Sequence, residues 1–425
     1  MSNSLNGTAS GASLLTLAEN VLKQTEDIVA YLRANNLPEP TFAVDSKPTP
    51  ETAEYLALQS GLTGSLEDLQ RLVEGPRKFL RSICVLGFEL IAFQIALDFD
   101  FFTIVAPGQE ISVSELAEKA GLDVDRTRRT IGMLMTHRFF QMSRPGWISH
   151  SSSSVVLFQD AEIRAAVQYC LDEMLKAAAD SNVSLKTTPH ESDSEHCPFK
   201  TRHGLSIFKY YTHHPEYAGR FARAMAGITR MGREVNQLRD CFPWNDLDGT
   251  VVDVGGGSGH VSMALAGLFP RLHFVVQDDS AAMLAEGEKL LNDDIRGRVS
   301  FARHNFFDPQ PYRNAGAFLL RQCTHDWCDR DVVTMFKSLV PGMEGSKPNT
   351  PLLINDIIMP QPGTWPRHAE RAVRDLDMIM MVGFGSKERT EDEFAALLKE
   401  ADSRYEIRNV YATGPMGLLD VYLKR

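Results

Sequence analysis

A short apolar run that leads into a cluster of glycines constrains the fold of this chain more than any other feature. The run Val251–Val254 contains a single acid, Asp253, and the glycine-rich stretch Gly255–Gly259 follows it directly. A helical pattern begins near His260. A buried strand, a glycine turn and a helix in this order are typical of the ligand-binding turn of a parallel α/β sheet. Glycines let the backbone approach a ligand closely, and the amino end of the helix adds positive potential.

The spacing of the glycines narrows the kind of ligand. A dinucleotide-binding turn requires a third glycine three residues after the second, and this sequence has His260 or Ser262 at that position. The spacing that is present, Gly255, Gly257 and Gly259 preceded by an acid, is similar to the first motif of class I methyltransferases. In that motif no pyrophosphate has to be bound, so the turn predicts a ligand other than a dinucleotide.

An acidic pair follows the next apolar run. The run His273–Gln277 ends in Asp278, which lies about 20 residues after the glycines, the separation expected of an acid that binds a ribose. A carboxylate at this position can accept hydrogen bonds from both ribose hydroxyls. The alternative is that Asp278 and Asp279 form a solvated strand end. The turn and the acid together favour a cofactor that contains a ribose.

A chain of 425 residues is longer than a domain with a single hydrophobic core usually is, so we expect more than one domain. From Thr250 onward, short apolar runs alternate with helical patterns, which is typical of βαβ units and a parallel sheet. We expect a helical N-terminal extension with a proline-rich linker in residues 1–75 and a winged-helix dimerisation domain in 76–200. A catalytic, Rossmann-like α/β domain should occupy residues 201–425.

The segment 111–156 has the pattern of a winged helix. Ser114 is placed to cap a short helix, Glu115–Ala120, and Arg126–Arg138 would form the second helix. The hairpin Phe139–Trp147 would follow. Clustered arginines are compatible with DNA recognition, and a structural or dimerising module is the alternative. Because the net charge of −11 argues against a polyanion binder, we expect the second and no nucleic-acid partner.

The most apolar stretch of the chain, Ser82–Val105, indicates the oligomeric state. It contains four polar or acidic residues, Glu89, Gln94, Asp98 and Asp100. A membrane-spanning helix of about 20 residues does not tolerate so many polar side chains well. We therefore expect no membrane partner. The stretch is interpreted as a buried or subunit-interface helix, which predicts a homodimer.

Two further features indicate the compartment and the absence of a metal. The first 15 residues lack a basic region followed by an apolar core, so we expect no signal peptide. Six scattered cysteines are typical of reduced thiols in a cytoplasmic protein. Cys323, His325 and Cys328 lie close together but fit no zinc spacing, so we expect no metal.

His325 is the residue whose position points most directly to catalysis. It comes shortly after the apolar run Ala317–Leu320, at the carboxyl edge where α/β sheets bind ligands. Asp356 and Glu388 stand where later loops leave the sheet, and a carboxylate bonded to Nδ1–H would fix the tautomer and stabilise the imidazolium. The alternatives are a structural histidine and carboxylates that cap helices or form surface pairs.

Together these residues resemble the plant and fungal class I small-molecule O-methyltransferases, of the caffeic acid and sterigmatocystin pathway type. The resemblance covers about residues 80–425 and depends on short motifs in a fixed order. These motifs are Asp253–Gly259, Gln277-Asp278, Phe306-Phe307, His325-Asp326-Trp327, Asp356 and Lys387-Glu388-Arg389-Thr390. The resemblance implies a Rossmann-like methyltransferase domain preceded by a helical, winged-helix dimerisation domain.

The resemblance also implies roles for individual residues. It implies that S-adenosylmethionine is the cofactor and that His325 removes a proton from the acceptor, flanked by Asp356 and Glu388. The residues expected to bind the cofactor are Asp253, Gly255, Gly257, Gly259, Asp278, Asn305, Phe306 and Arg321. The residues expected near the acceptor are Phe221, Met225, Trp327 and Met380.

The sequence departs from the family pattern at several positions. Asn305 replaces the usual aspartate, which changes the adenine group that it can bond, and Asp356 is shorter than the glutamate common in plant members. Asp279-Ser280 stands where the family has Leu-Pro, and Ala401-Asp402-Ser403 replaces Ala-Gly-Phe. None of these changes removes the expected base.

The expected reaction is in-line transfer of a methyl group from a sulfonium to a hydroxyl of a small aromatic or polyketide-type metabolite. Positioning lowers the entropic barrier, and proton removal by His325 adds about 10²–10⁴-fold. One alternative is a pericyclase of the same fold, of hetero-Diels–Alder or Alder-ene type, which keeps the cofactor without moving its methyl group. Another is a winged-helix regulator that uses the cofactor as a signal.

Overall fold

The computed structural model of this protein describes residues 13–230, 235–412 and 416–425. The chain forms two compact units that interleave along the sequence. The first comprises Met1–Lys176, Tyr211–Met231 and Pro362–Ala372, and the second comprises Ala177–Tyr210, Gly232–Gln361 and Val373–Arg425. The predicted domain boundaries after residues 75 and 200 do not coincide with the limits of these two units, and they stay predictions. Residues 1–12, within the stretch expected to lack a signal peptide, lie outside the described residues.

Helices make up most of the first unit and also accompany the sheet of the second. In chain order they are α1 (Leu14–Ala34), α2 (Ala53–Asp98), α3 (Phe101–Ile104), α4 (Val113–Ala120), α5 (Val124–Thr136), α6 (Ser152–Gln159), α7 (Ala161–Gln168), α8 (Leu175–Ala179), α9 (Ser181–Thr187), α10 (Pro198–His203), α11 (Ile207–His213), α12 (Pro215–Arg230), α13 (Val235–Cys241), α14 (His260–Leu268), α15 (Ala281–Leu290), α16 (Asp329–Glu344), α17 (Arg367–Phe384) and α18 (Glu391–Ala401). Tyr169–Met174 forms a π-helix, and Trp244–Asp246 and Thr324–Asp326 are 3-10 turns.

The first unit contains the elements expected of a winged helix. Its strands are β1 (Ile111–Ser112), β2 (Gln141–Arg144) and β3 (Trp147–Ser149). They pair antiparallel in the order β1-β3-β2. Strand β1 precedes the two short helices α4 and α5, and β2 and β3 follow them. The turn between β2 and β3 contains Gly146, whose φ of 79° lies in the left-handed region that favours glycine.

The predicted cap of α4 was wrong by two residues. Ser112, not Ser114, caps the helix, because its hydroxyl accepts a hydrogen bond from the Glu115 N–H at 3.1 Å. Both serines lie at the start of the apolar pattern, on either side of Val113, so composition alone does not choose between them. Gly121 ends α4 in the left-handed conformation, with a φ of 65°.

Helix α2 extends the apolar stretch predicted at Ser82–Val105. The helix continues N-terminally across a kink at Gly75, whose φ is 71°, immediately before Pro76. It ends at Asp98, and Asp100 adopts a left-handed backbone before α3. By length and composition alone α2 could span a membrane, although core helices of soluble proteins pass the same test.

The second unit is built on a mostly parallel sheet. Its strands are β4 (Gly249–Val254), β5 (Leu272–Asp278), β6 (Val299–Arg303), β7 (Ala315–Arg321), β8 (Leu352–Ile357), β9 (Tyr405–Ala412) and β10 (Met416–Leu423). In the described residues they form a seven-stranded sheet in the order β6-β5-β4-β7-β8-β10-β9. Strands β4 to β8 run parallel, and β10 lies antiparallel between β8 and β9. This topology confirms the predicted Rossmann-like α/β fold.

Apolar residues fill both faces of this sheet. Val252 and Phe318 belong to one buried cluster, whereas Val251 belongs to the cluster on the other face. Strands that are buried on both faces have nearly continuous apolar sequences, which explains why residues 251–254 show no regular alternation of apolar and polar residues. Because Val254 pairs with Gln277 in parallel register, the carboxyl ends of the strands meet at one edge. The loops that carry the predicted site leave this edge.

Candidate active site

The glycine turn adopts a backbone that other residues would strain. Gly255, Gly257 and Gly259 have φ values of 73°, 59° and 75°, in the left-handed region. A Cβ at position 255 would lie 2.8 Å from the sulfur of Cys323, and one at position 259 would lie 2.9 Å from Val276. The turn therefore requires glycine for its conformation and for its close packing.

Asp278 is joined to the glycine turn at the end of β5. Its Oδ2 accepts a hydrogen bond from the Gly257 N–H at 3.0 Å, and its Oδ1 accepts one from the Ser280 N–H at 2.8 Å. The carboxylate is half-buried beside the backbone of the turn. A glycine-rich turn, with an acid at its rim, fits the nucleoside part of S-adenosylmethionine.

Asp253 lies beneath the turn and supports it. Its buried carboxylate accepts a hydrogen bond from the Ser262 hydroxyl at 2.6 Å. Burial raises the pKa of Asp253 to about 6, although the Ser262 hydrogen bond and the charge of Arg321 oppose this shift. A Cβ at Gly256 would lie 2.6 Å from the carboxyl group. The predicted cofactor residue Asp253 is therefore placed to hold the shape of the turn.

Three further residues predicted at the cofactor lie at the same edge of the sheet. Asn305 follows β6, and its Oδ1 accepts a hydrogen bond from the Phe307 N–H at 3.0 Å, which fixes its amide. The ring of Phe306 lies 3.3 Å from the position that a Cβ on Gly255 would take. Arg321 ends β7 and donates a hydrogen bond to the neighbouring strand β8. Of the three, Phe306 is the side chain that lies against the glycine turn.

His325 lies in the 3-10 turn Thr324–Asp326 that follows β7, and only 6% of its surface is exposed. Its Nδ1 lies 3.0 Å from Glu388 Oε1 and 3.6 Å from Asp356 Oδ1. Its Nε2 lies 3.6 Å from Asp326 Oδ1. Only Glu388 is within hydrogen-bonding distance, so Nδ1–H donates to Glu388. The structure thus brings together the three residues predicted as the catalytic group.

Cys323 joins the turn of His325 to the glycine turn. Its buried thiol lies 3.6 Å from the carbonyl oxygens of both Val254 and Gly255. The next residue, Thr324, donates a hydrogen bond from its hydroxyl to Asp356 at 2.6 Å. The catalytic group is therefore attached on one side to the predicted cofactor turn and on the other to the end of β8.

Three carboxylates surround the buried imidazole. Burial lowers the pKa of His325, but the charges of Asp356, Asp326 and Glu388 outweigh this effect and raise the pKa to about 10. The ring is therefore an imidazolium at neutral pH. Ligand atoms of His325, Asp356 and Glu388 also lie within 4.8 Å of one another. The expectation that no metal binds here stays a prediction.

The residues predicted near the acceptor fall in both compact units. Trp327 follows the catalytic turn, and Met380 is buried on α17 in the second unit. Phe221 and Met225 lie on α12 in the first unit, where the Phe221 ring stacks on Tyr211 with 4.5 Å between centroids. Each pair lies in its own unit, and the expectation that all four residues contact the acceptor stays a prediction.

Two features near His325 were not predicted from the sequence. Phe208 lies 6.3 Å from Trp327 and 5.7 Å from Phe384, measured between ring centroids, which adds an aromatic wall. Arg389, identified above only as part of a motif, is fully buried and donates hydrogen bonds to the Thr324 and Trp327 carbonyls. Phe208 belongs to no motif, and the burial of an arginine leaves no signal in hydrophobic periodicity.

Comparisons with known proteins identify the family. The model of the family described as "O-methyltransferase domain" matches residues 184–404. The O-methyltransferase sol2 of Alternaria solani is 53% identical over 98% of this chain and 96% of its own length. The solved structure of OxaC in complex with SAH and oxaline is 19% identical, with a TM-score of 0.74 over 96% of this chain and 100% of OxaC. A structure described as a pericyclic reaction enzyme is 17% identical, with a TM-score of 0.73 over 96% and 100%.

The two kinds of similarity carry different information. The solved structures share the fold of this chain at low sequence identity. The family match covers more than half of the chain, and the similarity to sol2 extends over nearly all of it. The chain therefore belongs to the family of S-adenosylmethionine-dependent O-methyltransferases of secondary-metabolite pathways.

Proposed function

We propose that this enzyme methylates a hydroxyl of a small aromatic or polyketide-type metabolite, with His325 as the general base. The observation that carries the proposal is the 3.0 Å hydrogen bond between His325 Nδ1 and Glu388. This bond occupies Nδ1 and leaves Nε2 as the nitrogen that meets the acceptor. The connection through Cys323 to the glycine turn supports a location of the base beside the cofactor.

Residues of this chain hold the cofactor and orient its methyl group. Bound S-adenosylmethionine supplies an electrophilic methyl group on a sulfonium. We assign the ribose hydroxyls to Asp278 and the border of the adenine to Asn305 and Phe306. Arg321 places positive charge at the same edge, and Asp253 supports the turn. Fixed geometry of this kind lowers the entropic part of the barrier.

His325 and its carboxylates move the proton. A His325 pKa of about 10 is close to the pKa of a phenol, about 10, so proton transfer between them is nearly balanced in free energy. Glu388 and Asp356 stabilise the imidazolium that forms. Because a side chain supplies the base, we propose that the reaction needs no metal.

The proposed acceptor site is lined by apolar side chains. In the second unit, Trp327 and Met380 would contact the acceptor, and the rings of Phe208 and Phe384 extend the wall beside Trp327. Aromatic walls favour a flat acceptor, because ring stacking adds to the burial of apolar surface. The roles of Phe221 and Met225 rest on the family resemblance alone.

The variant His325→Ala tests the proposal. We expect kcat to fall about 10²–10⁴-fold, while the affinity for S-adenosylmethionine stays close to that of the unmodified enzyme. The reason is that the imidazole acts on the acceptor and not on the cofactor. Turnover would be measured by product formation and affinity by calorimetric titration. Retention of turnover in His325→Ala would remove the base from the mechanism.

A second candidate function is a pericyclic reaction without methyl transfer. The imidazolium of His325 favours it, because a cationic donor can polarise a carbonyl of the substrate. The likeness to a pericyclic reaction enzyme extends to the fold alone. The two functions differ in their use of the cofactor. Methyl transfer consumes one S-adenosylmethionine for each product, whereas a pericyclic reaction leaves it unconsumed.

We also propose that the protein is a homodimer. Between Leu80 and Phe88 every residue of α2 is exposed, although the segment is strongly apolar. Its exposed apolar side chains are Leu80, Ile83, Val85, Leu86 and Phe88. An apolar helix surface of this size is stable in water when a second copy covers it.

A cytoplasmic location is proposed on the basis of the cysteines. All six are free thiols in the described structure, which is typical of a reducing compartment. The net charge of −11 supports the proposal that neither nucleic acid nor an anionic membrane surface is a partner.

A further inference from the structure

The turn that carries His325 is short and weakly bonded within itself. Its hydrogen bonds are long, 3.4 Å from the Asp326 N–H to the Cys323 carbonyl and 3.3 Å from the Trp327 N–H to the Thr324 carbonyl. Hydrogen bonds in 3-10 turns also have poor geometry. The position of the imidazole therefore depends on groups outside the turn.

Arg389 makes two hydrogen bonds to the backbone of this turn from outside it. Its side chain is only 1% exposed. Nη1 donates a hydrogen bond to the Thr324 carbonyl at 2.8 Å, and Nη2 donates one to the Trp327 carbonyl at 2.7 Å. These two carbonyls lie on either side of His325 in the chain. The guanidinium of Arg389 therefore bridges two carbonyls of the backbone segment that contains His325.

Asp329 is the counter-ion of this buried guanidinium. Its Oδ1 accepts a hydrogen bond from Arg389 Nε at 2.9 Å and lies 2.8 Å from Nη2. Burial alone would raise the pKa of Asp329, but the hydrogen bond and charge of Arg389, with the charge of Lys387, lower it. The Lys387 carbonyl accepts a further bond from Nη1 at 3.3 Å, so each N–H group of the guanidinium has an acceptor.

The chain segment around Arg389 also contacts the catalytic histidine directly. The Ser386 hydroxyl donates a hydrogen bond to the His325 carbonyl, and Glu388 accepts one from His325 Nδ1–H. The Arg389 carbonyl accepts a hydrogen bond from the Met359 N–H at 2.8 Å, just beyond the carboxyl end of β8. The backbone and the ring of the base are thus held by the same segment, which is itself attached to the sheet.

We propose that Arg389, with Asp329 as its counter-ion, is the positioning residue that fixes the His325 imidazole against its carboxylate partners. The inference rests on the proposed role of His325 as the base. Arg389 acts through the carbonyls of Thr324 and Trp327. If they are released, the ring moves relative to Glu388, and a small displacement of a catalytic group can cost about 10²-fold in rate.

Two variants test this role, because the buried site could fail to fold after a change at Arg389 itself. Arg389→Lys keeps the charge but loses the planar fork that reaches several acceptors at once. Asp329→Asn keeps the shape of the counter-ion and removes its charge, at a side chain that is 45% exposed. Asp331→Asn is the matched control, since Asp331 lies in the same first turn of α16 and pairs with Arg330.

The expected result is a loss of turnover without a loss of cofactor binding. For Arg389→Lys and Asp329→Asn, we expect kcat per site that binds S-adenosylmethionine to fall by about 10–10²-fold. Calorimetric titration counts the binding-competent sites, so misfolded protein does not enter the comparison. Asp331→Asn should keep the kcat of the unmodified enzyme. Equal kcat per binding site in all four proteins would overturn the positioning role.

An NMR titration of the His325 ring separates this inference from the proposed function, because it requires no turnover. Asp326, Asp356 and Glu388 face the ring and raise its pKa in the unmodified protein. We expect Asp329→Asn to lower this pKa by about one unit, because the ring is no longer held against these charges. An unchanged pKa in folded Asp329→Asn would contradict the inference. If the pKa falls but the unmodified enzyme forms no methylated product, the positioning role stands and the proposed function fails.

Discussion

Glu388 Oε1 lies 3.0 Å from Nδ1 of His325, and both side chains are buried. This hydrogen bond fixes the tautomer of the ring and directs Nε2 away from Glu388. Asp356 Oδ1 lies 3.6 Å from the same nitrogen and has no hydrogen-bond partner among the described residues. Its charge therefore acts on the imidazole without a bond to it, so the two carboxylates contribute in different ways.

The two buried carboxylates should matter less than the imidazole itself. Above the pKa of His325, where the ring is neutral, we expect Glu388→Gln to lower kcat by up to about tenfold, because glutamine keeps an acceptor but loses the charge, and a lower pKa makes the imidazole a weaker base. Asp356→Asn should cost less, since Asp356 makes no hydrogen bond to the ring. The losses should not add in the double variant, because these residues act with His325 as a unit. Steady-state kinetics of the three variants check this, and fully additive losses would argue for independent roles.

The pH dependence of kcat/KM should report the raised pKa of His325. The ring is protonated below about pH 10, so with a phenol acceptor kcat/KM should rise roughly tenfold per pH unit from neutral pH towards 10. In Glu388→Gln the rise should end at a lower pH, because one of the three charges that raise the pKa is lost. A profile that is already flat just above neutral pH would contradict a base raised by carboxylates.

Asp278→Ala should weaken the binding of S-adenosylmethionine and of its demethylated product alike. Loss of a hydrogen bond to a charged group costs about 1.5–3 kcal/mol, or roughly ten- to hundredfold in Kd. Asp279→Ala is the control, because this neighbouring carboxylate is exposed and lies 3.2 Å from Arg303. Calorimetric titration compares the two variants. Equal affinity in Asp278→Ala and the unmodified protein would exclude Asp278 from the site.

Alanine at two glycines near the same helix should have opposite effects on stability. Gly259→Ala places a Cβ 2.9 Å from Val276 and 3.0 Å from Phe301 at a φ of 75°, so we expect a loss of more than about 1 kcal/mol. Gly267→Ala adds a Cβ with no neighbour within 4 Å at an exposed position of α14, and should stabilise by up to about 1 kcal/mol. Denaturant unfolding measures both. Equal unfolding midpoints would show that the turn tolerates a side chain.

A charge on the exposed apolar part of α2 should separate the proposed dimer. Phe88 is 70% exposed, and Phe88→Glu would place a carboxylate in an apolar interface, where an unpaired charge is strongly disfavoured. Leu290→Glu is the control, since Leu290 is a similarly exposed apolar residue at the end of α15. Light scattering at micromolar concentration should show a dimer for the unmodified protein and the control, and a monomer for Phe88→Glu. A monomer in all three proteins would rule out the dimer.

The fold could be predicted from the sequence because its main signals are local. The run Val251–Val254 and the following glycines specify a strand and a turn through residues that are adjacent in the chain. The cap of α4 was misplaced because Ser112 and Ser114 have the same chemistry, and only the backbone decides which hydroxyl meets the Glu115 N–H. Local patterns thus predict elements more reliably than their ends.

The site was predictable only where a residue carries a motif. His325, Asp356 and Glu388 were found because their residue types suit proton transfer and because they belong to motifs that resemble those of the family. Arg389 belongs to the same motif as Glu388, yet its contacts with Thr324 and Trp327 join positions more than 60 residues apart. Contacts of that kind depend on tertiary packing, which no hydrophobic periodicity reports.

The central claim is that this enzyme moves a methyl group to a hydroxyl, and a labelled cofactor tests it most directly. The enzyme would be incubated with S-adenosylmethionine that carries an isotopic label in its methyl group and with candidate phenol and polyketide hydroxyl acceptors. Mass spectrometry would follow the product and the cofactor together. We expect the label to appear on an oxygen of the product, with one cofactor consumed for each product formed. A product isomeric with its substrate, formed while the cofactor remains unconsumed, would contradict it.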